Sequence, residues 1–383
     1  MIHNKLKYNF EIIPGKLTSF EKTLLKLEQI RYIENPKRFY RESAYLKRVD
    51  GKISYYYLFS KIKSNNFNRG SDYLTHGIDF YRGSFHAQMV RGLINYCNLK
   101  DNSKILDPFC GSGTTLVEAA LLGFNSIGID INPIACLNSI IKTGLLKYNN
   151  TISRTTLEYD LKYFNNEDFS NQKFNIVLKK DFEYLLGLFI YTRILSMEKR
   201  LNMTKETAYT IVLDKLNFIL KKYNFLKKRI TINEGESKIL FNDNLSQIKT
   251  FPNSSFDAII TSPPYLNLID YIEEDINKIK YLFNEWEIQQ LKTQSIGNRI
   301  LNNQKSHLDY WNKIMKIIEE MYRILKNNSF LVFIIGNYGS MRSIYLSHFE
   351  NSGFFIERIL KRKIVNIKKK DNFEYVFFAR KKS

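Results

Sequence analysis

The sequence predicts an α/β protein built on a doubly wound, mostly parallel sheet, and two observations carry that reading. First, an expected short buried strand, Lys104–Asp107, is followed by a Gly111-Ser112-Gly113 turn, an apolar-periodic stretch over 114–122, and a second short strand over 126–130. Strand, glycine turn, helix and strand in that order form the front half of a doubly wound sheet. Second, short buried runs return at 238–241, 257–261 and 330–335, and residues 310–325 place an apolar side chain at every third or fourth position, the period of a helix.

The remaining elements follow in chain order. Residues 1–74 form a basic N-terminal region, with 15 Lys or Arg against 6 Asp or Glu over 1–70, and are a candidate DNA contact. They contain an expected helix at 20–32 and, around three consecutive tyrosines, an expected strand at 54–60. Residues 75–144 are the first part of the core and open with a helix at 85–96. Residues 145–235 carry 16 basic and 10 acidic residues and read as helical at 182–197 and 207–223. A segment of that size is too long for a loop. It is expected to be a helical insertion and a candidate target-recognition region. Residues 236–383 complete the core, and the runs at 355–360 and 373–379 are expected to close the sheet as an antiparallel pair joined through the basic stretch 361–370.

Composition narrows the function classes. The 383 residues hold 58 Lys or Arg against 38 Asp or Glu, a formal net charge of +20. That excess exceeds what solubility requires and favours a polyanionic partner, a nucleic acid before a membrane surface. No apolar run is long enough to cross a bilayer, and no cleavable signal is expected. The cysteines Cys97, Cys110 and Cys136 show neither metal-ligand nor disulfide spacing, which fits a reducing cytoplasm and no metal site.

Two segments carry chemistry. In Asp107-Pro108-Phe109-Cys110-Gly111-Ser112-Gly113-Thr114-Thr115 the glycines let the backbone turn tightly and approach a ligand at a strand end, although Gly-x-Gly also suits an ordinary turn. Asp130, ending the next strand, can accept both ribose hydroxyls or cap the helix ahead of Pro133. Asn242 and Asp243, after the third strand, would face the same crevice and could accept from an adenine amino group. A third fingerprint glycine and a P-loop lysine are both missing, so an adenosine-containing cofactor is favoured over a dinucleotide or a bare triphosphate. The second segment is Thr261-Ser262-Pro263-Pro264-Tyr265. Its prolines bar a helix and leave a stiff, acceptor-rich strand end. Ser262 Oγ and the Pro263 carbonyl can accept from a planar amine while Tyr265 stacks on its ring. Alone, the segment would also serve as a rigid turn.

Together, in this order and each at a strand end, the two segments resemble the S-adenosylmethionine-dependent amino methyltransferases acting on DNA. The resemblance covers residues 75–137 and about 238–379. It implies a seven-stranded, mostly parallel sheet of the class I methyltransferase type, with S-adenosylmethionine as cofactor. It assigns Phe109, Cys110, Gly111, Gly113, Thr114, Asp107, Asp130, Ile131, Asn242 and Asp243 to the cofactor. Tyr81, Ser84 and Phe85 join them from the segment that closes over methionine. Ser262, Pro263, Pro264 and Tyr265 become catalytic, and Asp270 and Tyr271 line the substrate cleft. Ser295-Ile296-Gly297 resembles a further patch of such relatives. Ser at 262 is the form usual for cytosine-N4 enzymes, which implies N4 methylation of a cytosine flipped out of double-stranded DNA. The implied setting is a monomer in a prokaryotic cytoplasm, with no membrane and a cognate restriction endonuclease acting separately. Adenine-N6 methylation, guanine-N2 methylation of RNA and an inactive nucleic-acid-binding protein remain alternatives. The cofactor loop precedes the catalytic loop, the reverse of many enzymes with the same wording, so no target-recognition region carries over.

Overall fold

The computed structural model describes residues 10–12, 44–46, 48–49, 52–53, 58, 73–79, 83–153, 174, 178, 180–228, 230, 232, 234–266, 269–297, 304–336, 341–366 and 369–382. The helix expected at 20–32 lies outside them. Of the strand expected at 54–60 only Leu58 is described, and it is helical.

Seven strands form one sheet: β1 (Lys104–Asp107), β2 (Asn125–Asp130), β3 (Ser237–Phe241), β4 (Phe256–Thr261), β5 (Leu325–Gly336), β6 (Phe354–Asn366) and β7 (Lys369–Lys381). Their spatial order is β6-β7-β5-β4-β1-β2-β3. The first five pair in parallel, and β7 runs antiparallel to both β5 and β6. The chain leaves β1 toward β2 on one side and later returns to β4 on the other. This reversal opens a crevice beyond the carboxyl ends of β1 and β4.

The helices are α1 (Ala87–Tyr96), α2 (Thr114–Leu121), α3 (Pro133–Lys147), α4 (Phe182–Leu201), α5 (Lys205–Lys227), α6 (Asn244–Lys249), α7 (Tyr271–Glu274), α8 (Ile276–Ile279), α9 (Glu285–Gln294), α10 (Gln304–Ile324) and α11 (Met341–Asn351). Alternation along the strands sorts the core into two layers. Ile105, Ala258, Ile260, Val332, Ile334 and Phe378 pack with Val90 and Leu93 of α1. Their neighbours Leu106, Ile259, Leu331, Phe333 and Phe377 pack with Ile314, Ile317 and Met321 of α10.

The structure revises two expectations. The basic stretch 361–370 is no connecting loop. Pairing continues through Lys361↔Tyr375, Arg362↔Glu374 and Ile364↔Asn372 to Asn366↔Lys369, so β6 and β7 are one long hairpin. Cationic residues on an edge strand discourage its pairing with another chain. The inserted helices also begin later than 145, because α3 belongs to the core and runs to Lys147. Asp181 and Thr204 cap α4 and α5, accepting from Tyr184 N and Thr207 N. The pair then buries Leu188, Phe189, Leu216 and Ile219 in one cluster with Leu137 and Ile141 of α3 and Ile279 and Leu291 of the region after β4.

Candidate active site

One cavity of about 370 Å³ occupies the crevice and touches both chemical segments. On one side lie Phe109, Cys110, Gly111, Ser112 and Thr114, with Asp130 and Ile131 from the end of β2. Gly111 and Gly113 have φ of 49° and 79°, the left-handed region that side chains resist. At Gly113 a Cβ would also stand 2.7 Å from Ser139 Oγ, so close packing of the turn on α3 reinforces the requirement. The carboxylate of Asp130 accepts from Gly111 N and from Asn132 N, each at 2.8 Å. Capping of α3 falls to Asn132, whose Oδ1 accepts from Ile134 N and Ala135 N. Asp130 is thereby left facing the cavity, and desolvation pushes its carboxyl up to about 6.

On the other side are Ser262, Pro264 and Tyr265, directly after β4. Ser262 Oγ donates to Tyr265 Oη at 3.3 Å, and Tyr265 Oη makes a long contact of 3.5 Å to Glu374 Oε1 of β7. Burial, and next the Glu374 carboxylate, push the Tyr265 hydroxyl well above the usual tyrosine range, so it stays neutral. The loop is tied from below: Tyr310 Oη donates to the Pro264 carbonyl at 3.1 Å and pairs with Tyr345 Oη at 2.8 Å. Asp107 joins the two segments, accepting from Thr261 Oγ1 at 2.7 Å and Phe109 N at 3.2 Å.

The cavity gathers most of the residues read from the sequence: Ser84, Phe85, Phe109, Cys110, Gly111, Thr114, Asp130, Ile131, Ser262, Pro264, Tyr265 and Tyr271. Others stand elsewhere. Asp107 is buried beneath the loop, and Gly113 and Pro263 are off the lining. Asn242 lines a separate recess beside β3, and Asp243 caps α6 by accepting from Ser246 N. Asp270 caps α7, accepting from Glu273 N at 3.0 Å. Tyr81 lies outside the described residues. The sequence reading left out Asn132, Lys142, Asn244, Arg362 and Glu374, all of which line the cavity. Ser295 and Ile296, from the further patch, also reach it.

Cys110 is no nucleophile here, because burial and then Asp130 push its thiol well above the ordinary value. His86 is held neutral, pushed down to about 3 by burial and then by Arg362 and His76. Among the described residues there is no cluster of His, Cys, Asp and Glu that could hold a metal, and no helix long and apolar enough to cross a membrane.

These residues fit an adenosine carrying a methionine. The left-handed glycine turn leaves room for backbone approach, and Asp130 offers a cavity-facing acceptor to hydroxyls. A sheet wound in this order, opening one crevice to such a cradle and to a rigid acceptor loop, belongs to a methyltransferase that uses S-adenosylmethionine. More narrowly, the chain belongs to the DNA methylase family of N6 and N4 enzymes, whose family model matches residues 7–142 and 256–383. A model of the RMKL-like methyltransferase domain matches residues 78–308.

Among individual relatives, the type II methyltransferase M.BsoBI of Geobacillus stearothermophilus is 29% identical over 286 residues, covering 59% of this chain and 56% of that protein. The present chain thus aligns with little more than half of that relative. The type II methyltransferase M.MjaII of Methanocaldococcus jannaschii is 23% identical and 78% of each chain is covered. A tRNA (guanine(10)-N2)-dimethyltransferase of Methanothermobacter thermautotrophicus is 43% identical over 53 residues, 14% of this chain and 16% of that one. Among solved structures, a SAM-dependent methyltransferase of Methanosarcina mazei superposes with a TM-score of 0.33 at 15% identity, covering 76% of this chain and 97% of that one.

Proposed function

We propose that the protein methylates the N4 amine of a cytosine flipped out of duplex DNA, as the protective partner of a restriction nuclease. The observation that carries this reading is the single cavity shared by the Asp130–Gly111 cradle and the Ser262–Tyr265 loop. Two relatives named as type II methyltransferases support the DNA target.

When bound, S-adenosylmethionine supplies an electrophilic methyl group. The chain supplies the geometry. Asp130 would hold the ribose, and the glycine turn would hold the cofactor along the crevice. Ser262 Oγ, which lines the cavity, accepts from the exocyclic amine, drawing its lone pair out of conjugation and aiming it across the cavity. Tyr265, neutral and anchored through Pro264 to Tyr310, presents a flat face to the base. The hairpin of β6 and β7, the inserted helices and the N-terminal region provide cations for the DNA backbone.

The test is mass spectrometry of nucleosides from unmodified duplex DNA and from tRNA, each incubated with isotopically methyl-labelled cofactor. Labelled N4-methylcytosine in DNA is the expected product. N6-methyladenine would keep the mechanism and reassign the base. A label confined to N2-methylguanine in RNA would favour the second reading, which rests on the 53-residue match to a tRNA guanine-N2 enzyme.

A further inference from the structure

Methylation of an aromatic amine releases a proton, and the neutral Ser262 cannot keep it. Glu374 is a carboxylate whose place the chain's motifs do not explain. Because β7 runs antiparallel, its beginning lies at the same edge as the carboxyl ends of the parallel strands. Glu374 is there cross-paired with Gly336, the last residue of β5, and with Arg362 of β6. Its side chain lines the cavity beside Tyr265. Arg362 Nη1 donates to Glu374 Oε2 at 2.6 Å and also approaches Met89 Sδ of α1 at 3.5 Å, which fixes the carboxylate between two elements. The other oxygen, Oε1, faces Tyr265 Oη.

A carboxylate only accepts, so it sets the direction of the hydroxyls leading to it. Tyr265 donates toward Glu374, and Ser262 donates toward Tyr265. The lone pairs of Ser262 Oγ are consequently turned to the cavity, where the amine would sit. We infer that Ser262, Tyr265 and Glu374 form a proton relay that orients Ser262 as the amine's acceptor and delivers the released proton to Glu374. This inference rests on the amine-methylation reading above.

The balance is complete. The amine nitrogen forms the new N–C bond, the S–C bond breaks, and its electron pair returns to sulfur as a neutral thioether. The nitrogen's surplus proton passes to Ser262 Oγ as the serine proton moves to Tyr265 and the tyrosine proton to Glu374. One positive and one negative charge are thereby neutralised, and the carboxylic acid later loses its proton to solvent. Glu374 acts through the two hydroxyls and is a positioning and proton-accepting residue.

The test compares the wild-type chain, Glu374→Gln and the swapped pair Glu374→Arg with Arg362→Glu. The swap keeps an ion pair but moves the carboxylate off Tyr265, so it controls for a merely structural role. Single-turnover transfer to DNA should fall about 10²-fold in both variants, the scale of general acid–base catalysis. Affinity for S-adenosylhomocysteine, read by calorimetry, and the KM for DNA should stay at wild-type values. Independently of turnover, saturation-transfer NMR of the S-adenosylhomocysteine complex should show about tenfold weaker binding of deoxycytidine or deoxyadenosine, from a lost charge-supported hydrogen bond. Thymidine, which lacks the amine, should be unaffected. A swapped pair that transfers at the wild-type rate would overturn the relay while the proposed function stands. A wild-type protein that labels no amine would defeat the proposed function itself, and the relay with it.

Discussion

Asp107 and Asp130, at the strand ends of the crevice, are surrounded by hydrogen-bond donors, and desolvation pushes both carboxyls up to about 6. Glu118 and Asp79, on the helical flank, are buried too, yet both are held below the usual carboxylate range. At Glu118 burial is outweighed by Arg91 at 2.6 Å and His76 at 2.8 Å, with the Tyr73 hydroxyl donating as well. At Asp79 it is outweighed by Lys278 at 3.2 Å and Arg193, with Asn138 donating at 3.1 Å. Both flank residues clasp the segment Tyr73–Asp79, which enters the cavity wall, to α1, α2, α3, α4 and α8. The contrast separates two uses of a buried charge. Paired with cations, it is a clasp. Held by neutral donors alone it is costly, and where it faces the crevice, as Asp130 does, that cost is the usual mark of a functional site.

The largest effect that could break this comparison is on stability. Glu118→Gln keeps the shape but removes the charge that Arg91 meets at 2.6 Å, and removing one partner of such a buried pair costs about 3–5 kcal/mol. A strong fall in the unfolding midpoint is expected in denaturant titration. An unchanged midpoint would mean that Glu118 is no clasp. Asp130→Asn should do the opposite: little or no loss of stability, since a costly charge is removed, and about 10²-fold weaker binding of S-adenosylhomocysteine by calorimetry, from hydrogen bonds made by an ionised acceptor.

A pH series sharpens the same contrast. The folded carboxyls of Asp107 and Asp130 lie above their ordinary value of 3.8, so the folded state takes up their protons first. Stability from this pair is therefore fully present below 3.8 and is lost as pH rises through about 6. Glu118 and Asp79 are depressed below 4.5 and 3.8, so their contribution is present above those values and is lost as pH falls through the folded ones. Cofactor affinity should accordingly drop about tenfold per pH unit below about 6, as Asp130 takes up a proton, while the unfolding midpoint does not fall. Coincident loss of affinity and fold would contradict the division.

How much of this was legible in the sequence depends on how local the cause is. The bounds of β1 are legible to the residue because the short run Lys104–Asp107 leads into a glycine turn, and β2 and β3 differ by one residue at their starts. Gly111, Asp130, Ser262 and Tyr265 were legible for the same reason: each sits at a strand end beside its own motif. Asn242 and Asp243 also follow a strand, but α6 starts at once and uses Asp243 as its cap, a competition the pattern did not reveal. Helix α3 was not singled out because most of its positions are buried, leaving no polar stripe to mark a period. Glu374 was out of reach, since only the antiparallel pairing of β7 brings it beside Tyr265, 109 residues away along the chain.

The smallest predicted effect concerns the inserted helices. Arg193 of α4 reaches Asp79, which also touches Lys278; Lys278 holds Asp275 at 3.0 Å, and Asp275 accepts from Asn132 at 2.9 Å, beside Asp130. The insertion is therefore wired to the Asp130 side of the crevice as well as packed on α3. Arg193→Met preserves much of the apolar stem and leaves Asp79 with Lys278 and Asn138. Its cost should stay at about 1–2 kcal/mol, the scale of one charged hydrogen bond whose acceptor keeps other partners. Thermal unfolding checks that figure, and calorimetry should show S-adenosylhomocysteine bound within a few-fold of wild type. A loss as large as that from Glu118→Gln would mean that Asp79 depends on the insertion alone. The inserted helices would then be a required wall of the methyltransferase core, and a search for the base-reading surface would move to the hairpin of β6 and β7 or to the N-terminal region.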